Sequence, residues 1–149
     1  AELDPAAELV AVHDAVRPCI AQPWIDAVFA EAEKTGAAIL ACPVSGTLKK
    51  VAASGVIDET VRRDDLWEAQ TPQVFRVDLL RKAYASGDAA TDDSGLVEAI
   101  GHPVSVVAGD PRNLKITTKA DLDVAAAVIK TLPKPKEIGY RHPFEEPKW

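Results

Sequence analysis

The stretch Ala37–Val44, AAILACPV, places apolar residues at nearly every position without alternating. A strand that reads this way is covered on both faces, which restricts the fold to a sheet held between layers of other structure. Upstream, ELVAV over residues 8–12 is a second short buried strand. Between the two, QPWIDAVFAEAEKTG has Pro23 at a helix start, apolar residues at Trp24, Ile25, Val28, Phe29 and Ala32, and Gly36 as its stop. The sequence thus predicts a βαβ unit with a right-handed crossover, and the alternation that follows spells α/β. VDLLRKAYASG and TDDSGLVEAIG read as short helices closed by Gly87 and Gly101, PVSVVAGD as a strand, and TKADLDVAAAVIKTL as a last helix. That helix has Thr118 and Asp121 spaced as a capping pair and Leu122, Ala125, Ala126 and Ile129 along one expected apolar face.

Residues 47–67 break the pattern. TLKKVAASGVIDETVRRDDLW is rich in charge, has a turn signal at Ser54-Gly55 and β-prone segments around Val51 and Val56-Ile57, and reads as a protruding hairpin arm. A two-stranded ribbon is marginal in water, so the arm is expected to pack on something else, with a second subunit the economical candidate. From Pro133 onward, four prolines in seventeen residues mark a tail, leaving residues 1–132 as one domain. At 149 residues and 47% hydrophobic, one core is what the chain can fill.

The formal charge of −6 excludes a sequence-independent grip on nucleic acid, so an anionic ligand has to be met by locally placed cations. No apolar run is long enough to span a bilayer, and the opening AELDPAAELV has acids where a signal peptide has bases. With Cys19 and Cys42 read as reduced, buried thiols, the expected compartment is the cytoplasm. Trp24 and Phe29 read as core and His102 as part of a connector.

Ligands of an open parallel sheet collect outside the carboxyl ends of its strands. Two polar clusters fall there: His13, Asp14 and Arg17 after the first strand, and Asp110, Arg112 and Lys115 in GDPRNLKITT after the strand ending near Ala108. Singly, an Asp after a strand is commonly a turn residue, and loop cations are commonly solvated. Together, mixed acids and cations suit metal-assisted phosphoryl or nucleotidyl transfer. A glycine-rich phosphate loop is not visible: the eight glycines are unclustered.

HDAVRPC, ACPVSGTLKK, TVRRDDLWEAQTPQVF, ATDDSGLVEAIG and GDPRNLKITTKADL resemble, in order and spacing across Val10 to Ile129, the motifs of the 2-C-methyl-D-erythritol 4-phosphate cytidylyltransferases. The resemblance implies a nucleotidyltransferase-type, Rossmann-like, mostly parallel sheet with a β-arm exchanged in a homodimer. It implies transfer of CMP from CTP to methylerythritol phosphate with release of pyrophosphate, dependent on Mg²⁺ or another divalent cation. Carried over, Asp14 sits by the metal and substrate, with Arg63 and Lys115 as its catalytic companions. Arg17, Thr47, Thr91 and Asp92 bind substrate, Thr47 and Arg63 reaching across the dimer from the arm.

Two departures accompany the match. Gly46 stands where the family usually has Asp, and the family's opening glycine-rich loop with its Pro-Lys-Gln motif is missing from these residues. The sheet is therefore expected to be incomplete at its N-terminal side, these residues alone are expected not to turn over, and the N-terminal segment of the same protein becomes a candidate partner. A related enzyme acting on another polyol phosphate, such as ribitol 5-phosphate, and a non-catalytic dimeric module are the competing readings.

Overall fold

A computed structural model describes residues 3–134. Strand β1 (Leu9–Val12) leads through a bend into helix α1 (Gln22–Thr35), then β2 (Ala37–Pro43). The arm comprises β3 (Leu48–Val51) and β4 (Ile57–Val61), and is followed by β5 (Trp67–Arg76), α2 (Val77–Ala85), α3 (Asp93–Ala99), β6 (Ser105–Ala108) and α4 (Lys119–Val128). One 3₁₀ turn, Ile129–Thr131, closes the described chain. The Pro-rich tail expected from Pro133 lies, from residue 135 on, outside the described residues.

The main sheet has the order β1-β5-β2-β6. β5 pairs antiparallel with both β1 and β2, whereas β2 and β6 pair parallel. Strands β1, β2 and β6 therefore point the same way, as the mostly parallel reading expected, and β5 is the reversed strand inserted among them. The βαβ crossover from β1 to β2 skips over β5.

β2 explains why this sheet needs helices on both faces. Its alternate residues Ala38 and Leu40 join Val74, Val28 and Ala32 in the layer under α1. Ala37, Ile39 and Ala41 join Phe75, Leu80, Ala83 and Val97 in the layer under α2 and α3. Every β2 residue but Pro43 is buried, as a strand covered on both sides must be. Helix α1 starts with Pro23 in its first turn and ends at Gly36, whose φ of 87° is the left-handed conformation a glycine C-cap supplies.

Sequence patterning erred in two places. It assigned no strand to residues 67–76, yet these form β5, the longest strand and one of the two interior strands of the sheet. Pro72 argues against a central strand on general grounds, and the polar Gln70, Thr71 and Gln73 conceal its apolar run. The last helix forms with its capping box, but of the expected apolar face only Ala125 is buried; Leu122, Ala126 and Ile129 are exposed. That helix is held from its ends and from Ala125, whose carbonyl lies 3.7 Å from Cys19 Sγ.

The arm is a separate two-stranded sheet, with Gly55 at a φ of 82° in its turn. Leu48, Val51, Val56 and Ile57 are exposed on it. Cys19 and Cys42 are free and buried. No helix among the described residues is long and apolar enough to cross a membrane.

Phe75 is fully buried on the central strand. Replacing it with Ala removes a large core side chain from a site that cannot collapse around the loss, and is expected to cost about 3–5 kcal/mol. Equilibrium denaturation of the variant beside wild type measures this; a loss below about 1 kcal/mol would contradict the two-layer core built around β5.

Candidate active site

The carboxyl ends of β1, β2 and β6 lie together, and because β5 is reversed, its N-terminal half lies among them. Three segments at this edge are each tied to a polar β5 side chain.

The first is the bend after β1. Thr71 Oγ1 accepts the Asp14 N–H at 3.0 Å and lies 2.9 Å from His13 Nδ1. His13 Nε2 lies 3.1 Å from the Arg17 carbonyl. A carbonyl can only accept, so Nε2 carries the proton, and Nδ1 accepts from the Thr71 hydroxyl. His13 thus closes the bend, and the bend aims its two charges. Arg17 Nε donates to Asp14 Oδ2 at 3.2 Å, and Arg17 Nη1 donates to the Asn113 carbonyl at 2.7 Å. The Arg17 side chain is only 8% exposed.

The second loop follows β6. Gly109 leaves room for the Gln70 amide here, which an added Cβ would displace. Gln70 Nε2 donates to the Asp110 carbonyl at 3.0 Å, and Asn113 Nδ2 donates to the Thr71 carbonyl at 2.8 Å. Asn113 is fully buried, with its Oδ1 the buried side-chain oxygen left without a hydrogen bond among the described residues. The loop so anchored carries Lys115 to Asp14, with Nζ 3.1 Å from Oδ2. Asp14 therefore sits between two cations. Burial alone pushes its carboxyl up, but the hydrogen bonds and charges of Lys115 and Arg17 outweigh that and hold it below the usual carboxylate range.

Asp110 and Arg112, grouped with Lys115 from sequence, serve the loop instead. Arg112 grips Asp110 through Nε and Nη2 at 2.9 and 2.7 Å, donates to the Thr131 carbonyl at 2.6 Å, and stands 5.6 Å over the Trp24 ring centroid. The Arg112 hydrogen bond pulls the Asp110 carboxyl down, against a smaller upward push from burial.

The third loop precedes α3. Gln73 Nε2 donates to Asp92 Oδ2 at 2.8 Å, and Gln73 Oε1 accepts the Ser94 N–H at 3.0 Å. Asp92 caps the helix through the Gly95 N–H at 3.0 Å, and Thr91 beside it is exposed.

The structure thus brings Asp14, Arg17 and Lys115 into direct contact and sets Thr91 and Asp92 at the same sheet edge through Gln73. Thr47 and Arg63 stay with the arm: both are exposed, Arg63 donates to the Ser45 carbonyl, and no hydrogen bond or ion pair among the described residues links them to Asp14. At Gly46 an added Cβ would meet nothing within 4 Å, so the departure there alters no local packing. Sequence reasoning gave no role to Gln70, Thr71, Gln73 or Asn113. Polar amides interrupting an apolar β run were the available signal.

A concavity of about 780 Å³ lies at the opposite end of the sheet, lined by exposed charges including Glu8, Glu33, Arg76, Asp78 and Arg81. Its charges are solvated and the ion pair in it, Arg76 with Asp78 at 3.3 Å, is exposed, so convergence of buried chemistry favours the Asp14 edge.

The sheet with one reversed strand and helices on both faces is an α/β fold of the nucleotidyltransferase type, with cations fixed at the carboxyl ends of its strands. The family model of 2-C-methyl-D-erythritol 4-phosphate cytidylyltransferase matches residues 1–131, and the chain belongs to that family. A relative of that name from Rhodopirellula baltica is 52% identical over 123 residues, covering 81% of this chain and 50% of the relative. One from Pelotomaculum thermopropionicum is 47% identical over 132 residues, covering 86% and 56%. The chain thus spans about half the length of these curated relatives. Among solved structures, the Thermus thermophilus cytidylyltransferase superposes with a TM-score of 0.78 at 36% identity, covering 84% of this chain and 63% of that one. The Francisella tularensis enzyme gives 0.76 at 34%, covering 85% and 62%.

Asp14, Asp92 and Asp110 all have carboxyls held below their ordinary range. A carboxylate depressed in the folded state contributes stability above its unfolded pKa of about 3.9, and that contribution is lost as pH falls through the folded value. The urea midpoint is expected to hold steady from pH 6 to 5 and to fall steeply below about pH 4, with D110N flattening part of that acid limb. An unchanged acid limb in D110N would show that the Arg112 pair does not stabilise the fold.

Proposed function

We propose that the complete protein transfers CMP from CTP to 2-C-methyl-D-erythritol 4-phosphate, giving 4-diphosphocytidyl-2-C-methyl-D-erythritol and pyrophosphate for isoprenoid precursor synthesis. One observation carries this reading: Asp14 held between Arg17 and Lys115 where the parallel strands end, on the family's own framework. An acceptor phosphate oxygen attacks the α-phosphorus of CTP in line, forming a new P–O bond as the bond to pyrophosphate breaks. The nucleophile is already anionic, so no general base is needed, and catalysis rests on alignment and fixed positive charge.

The roles divide by exposure. Arg17, buried and hydrogen-bonded at both ends of its guanidinium, is a rigid contact for the acceptor. Lys115 is 47% exposed at its side chain and can swing from Asp14 toward charge that develops during transfer. Thr91 lines the acceptor pocket with Asp92 behind it, and Thr47 and Arg63 reach the acceptor phosphate of a second copy across an arm-exchanged homodimer. The exposed apolar residues of the arm support that dimer.

Among the described residues no group of three or more His, Cys, Asp or Glu side chains is placed to hold a metal. Mg²⁺ keeps water and substrate phosphates as most of its ligands and takes only one or two carboxylates, so a single protein carboxylate is donor enough. Asp14 Oδ1, which carries no hydrogen bond among the described residues, would hold it, and the ion would offset phosphate charge. Two buried free thiols support a cytoplasmic setting.

The decisive assay follows pyrophosphate release by the complete gene product with CTP, Mg²⁺ and either methylerythritol phosphate or ribitol 5-phosphate. Turnover of the first acceptor is expected. Turnover of ribitol phosphate alone would replace the acceptor, and failure to bind CTP would favour a non-catalytic module. Lys115→Ala is expected to lower kcat by about 10²–10³-fold with a smaller change in KM, as for other preorganised contacts to transition-state charge.

A further inference from the structure

Gln73 is 3% exposed on the central strand and uses both ends of its amide on one target, the entry to α3. Asp92 receives Gln73 Nε2 and Ser94 Oγ at Oδ2, both at 2.8 Å, and the Gly95 N–H at Oδ1. Its carboxylate is thereby turned inward and occupied by three donors. Thr91, one residue earlier, is exposed, as are Asp88, Ala89 and Ala90 before it.

Beyond these bonds, the Tyr84 hydroxyl donates to Asp93 Oδ1, the Asp88 N–H donates to Ser86 Oγ at 3.3 Å, and Val97 packs α3 into the core. Among the described residues, no backbone–backbone hydrogen bond outside the helices and strands involves residues 88–91. Helix α3 is only seven residues long, too short to order its own N-terminus unaided. Gln73 is what ties that terminus to the sheet.

We propose that Gln73 is a positioning residue: through Asp92 and Ser94 it fixes Thr91 at the rim of the acceptor pocket, setting acceptor affinity without touching the acceptor. This rests on the acceptor-site reading of Thr91. A charge-preserving swap tests it. Gln73→Glu removes the donor and sets two carboxylates face to face, whereas Q73E/D92N restores one donor and one acceptor with the direction of the bond reversed.

The complete gene product is made as wild type, Q73E, D92N, Q73E/D92N and Q73M, the last losing both hydrogen bonds without adding charge. Each is followed by amide hydrogen exchange at Ser94 and Gly95 and by calorimetric titration with methylerythritol 4-phosphate and, separately, CTP. Q73E and Q73M are expected to speed exchange and weaken methylerythritol phosphate binding, each by about tenfold, while CTP affinity stays within about twofold; the swap recovers most of both losses. Unchanged exchange, acceptor and CTP affinities falling together, or a swap that recovers nothing would each overturn the assignment. If Q73E fails to fold, Q73M and the swap decide. Wild type binding neither methylerythritol phosphate nor ribitol phosphate would fail the functional reading, whereas wild-type binding with an unmoved Q73M would fail Gln73 alone.

Discussion

The site depends on a strand that runs the wrong way. Were β5 parallel to its neighbours, its first half would lie at the far end of the sheet, and only loops would surround the ligand edge. Reversed, it delivers Gln70, Thr71 and Gln73 in succession to the carboxyl ends of β1, β2 and β6. Each meets a different loop: Gln70 the segment after β6, Thr71 the bend after β1, Gln73 the entry to α3. Loops are ordinarily the least ordered parts of a domain, and a site that must hold charges in register gains from having them tied to its most rigid element. Burying amides in a central strand is costly unless they are satisfied, and here the donors and acceptors they meet are the same ones that fix the site.

Electrostatics follows from that anchoring. The chain as a whole carries −6, a poor starting point for holding phosphates. The local balance is the reverse: two cations share one carboxylate at Asp14, leaving a net positive centre. Asp14 does more than neutralise. It holds Lys115 at the strand ends, so the ordering entropy of that long side chain is partly spent in advance. Arg112 illustrates the other use of a loop cation. Pinned by Asp110, the Thr131 carbonyl and the Trp24 face, it is committed to shaping the loop that carries Lys115.

How far all this could be read in the sequence divides along physical lines. Where period and local chemistry agree, as in β2, α1 with Pro23 and Gly36, and the Thr118–Asp121 capping box, the elements form where patterning puts them. Asp14, Arg17 and Lys115 were legible as residues at strand ends, and their convergence came from the fold. β5 was hidden because its functional polar residues and Pro72 break the hydrophobic run that identifies a strand. The residues that make it important are the ones that disguise it. Helix α4 fails in the opposite sense: Leu122, Ala126 and Ile129 lie on one face, but periodicity says only that a face exists, not that the described chain covers it.

Asn113 shows how tightly the parts are joined. Its side chain holds the Thr71 carbonyl, its own carbonyl holds Arg17, and Thr71 in turn holds the Asp14 amide. A closed circuit of that kind cannot lose one bond and keep the geometry of the others, because Asn113 and Arg17 at its centre are buried and have no water to turn to. Disturbance at any member therefore reaches the Asp14, Arg17 and Lys115 cluster as a shift in position rather than as a lost charge. The proposed transfer, which rests on alignment, is most exposed to that kind of damage, since small displacements of a fixed cation cost transition-state contact while leaving ground-state binding largely in place.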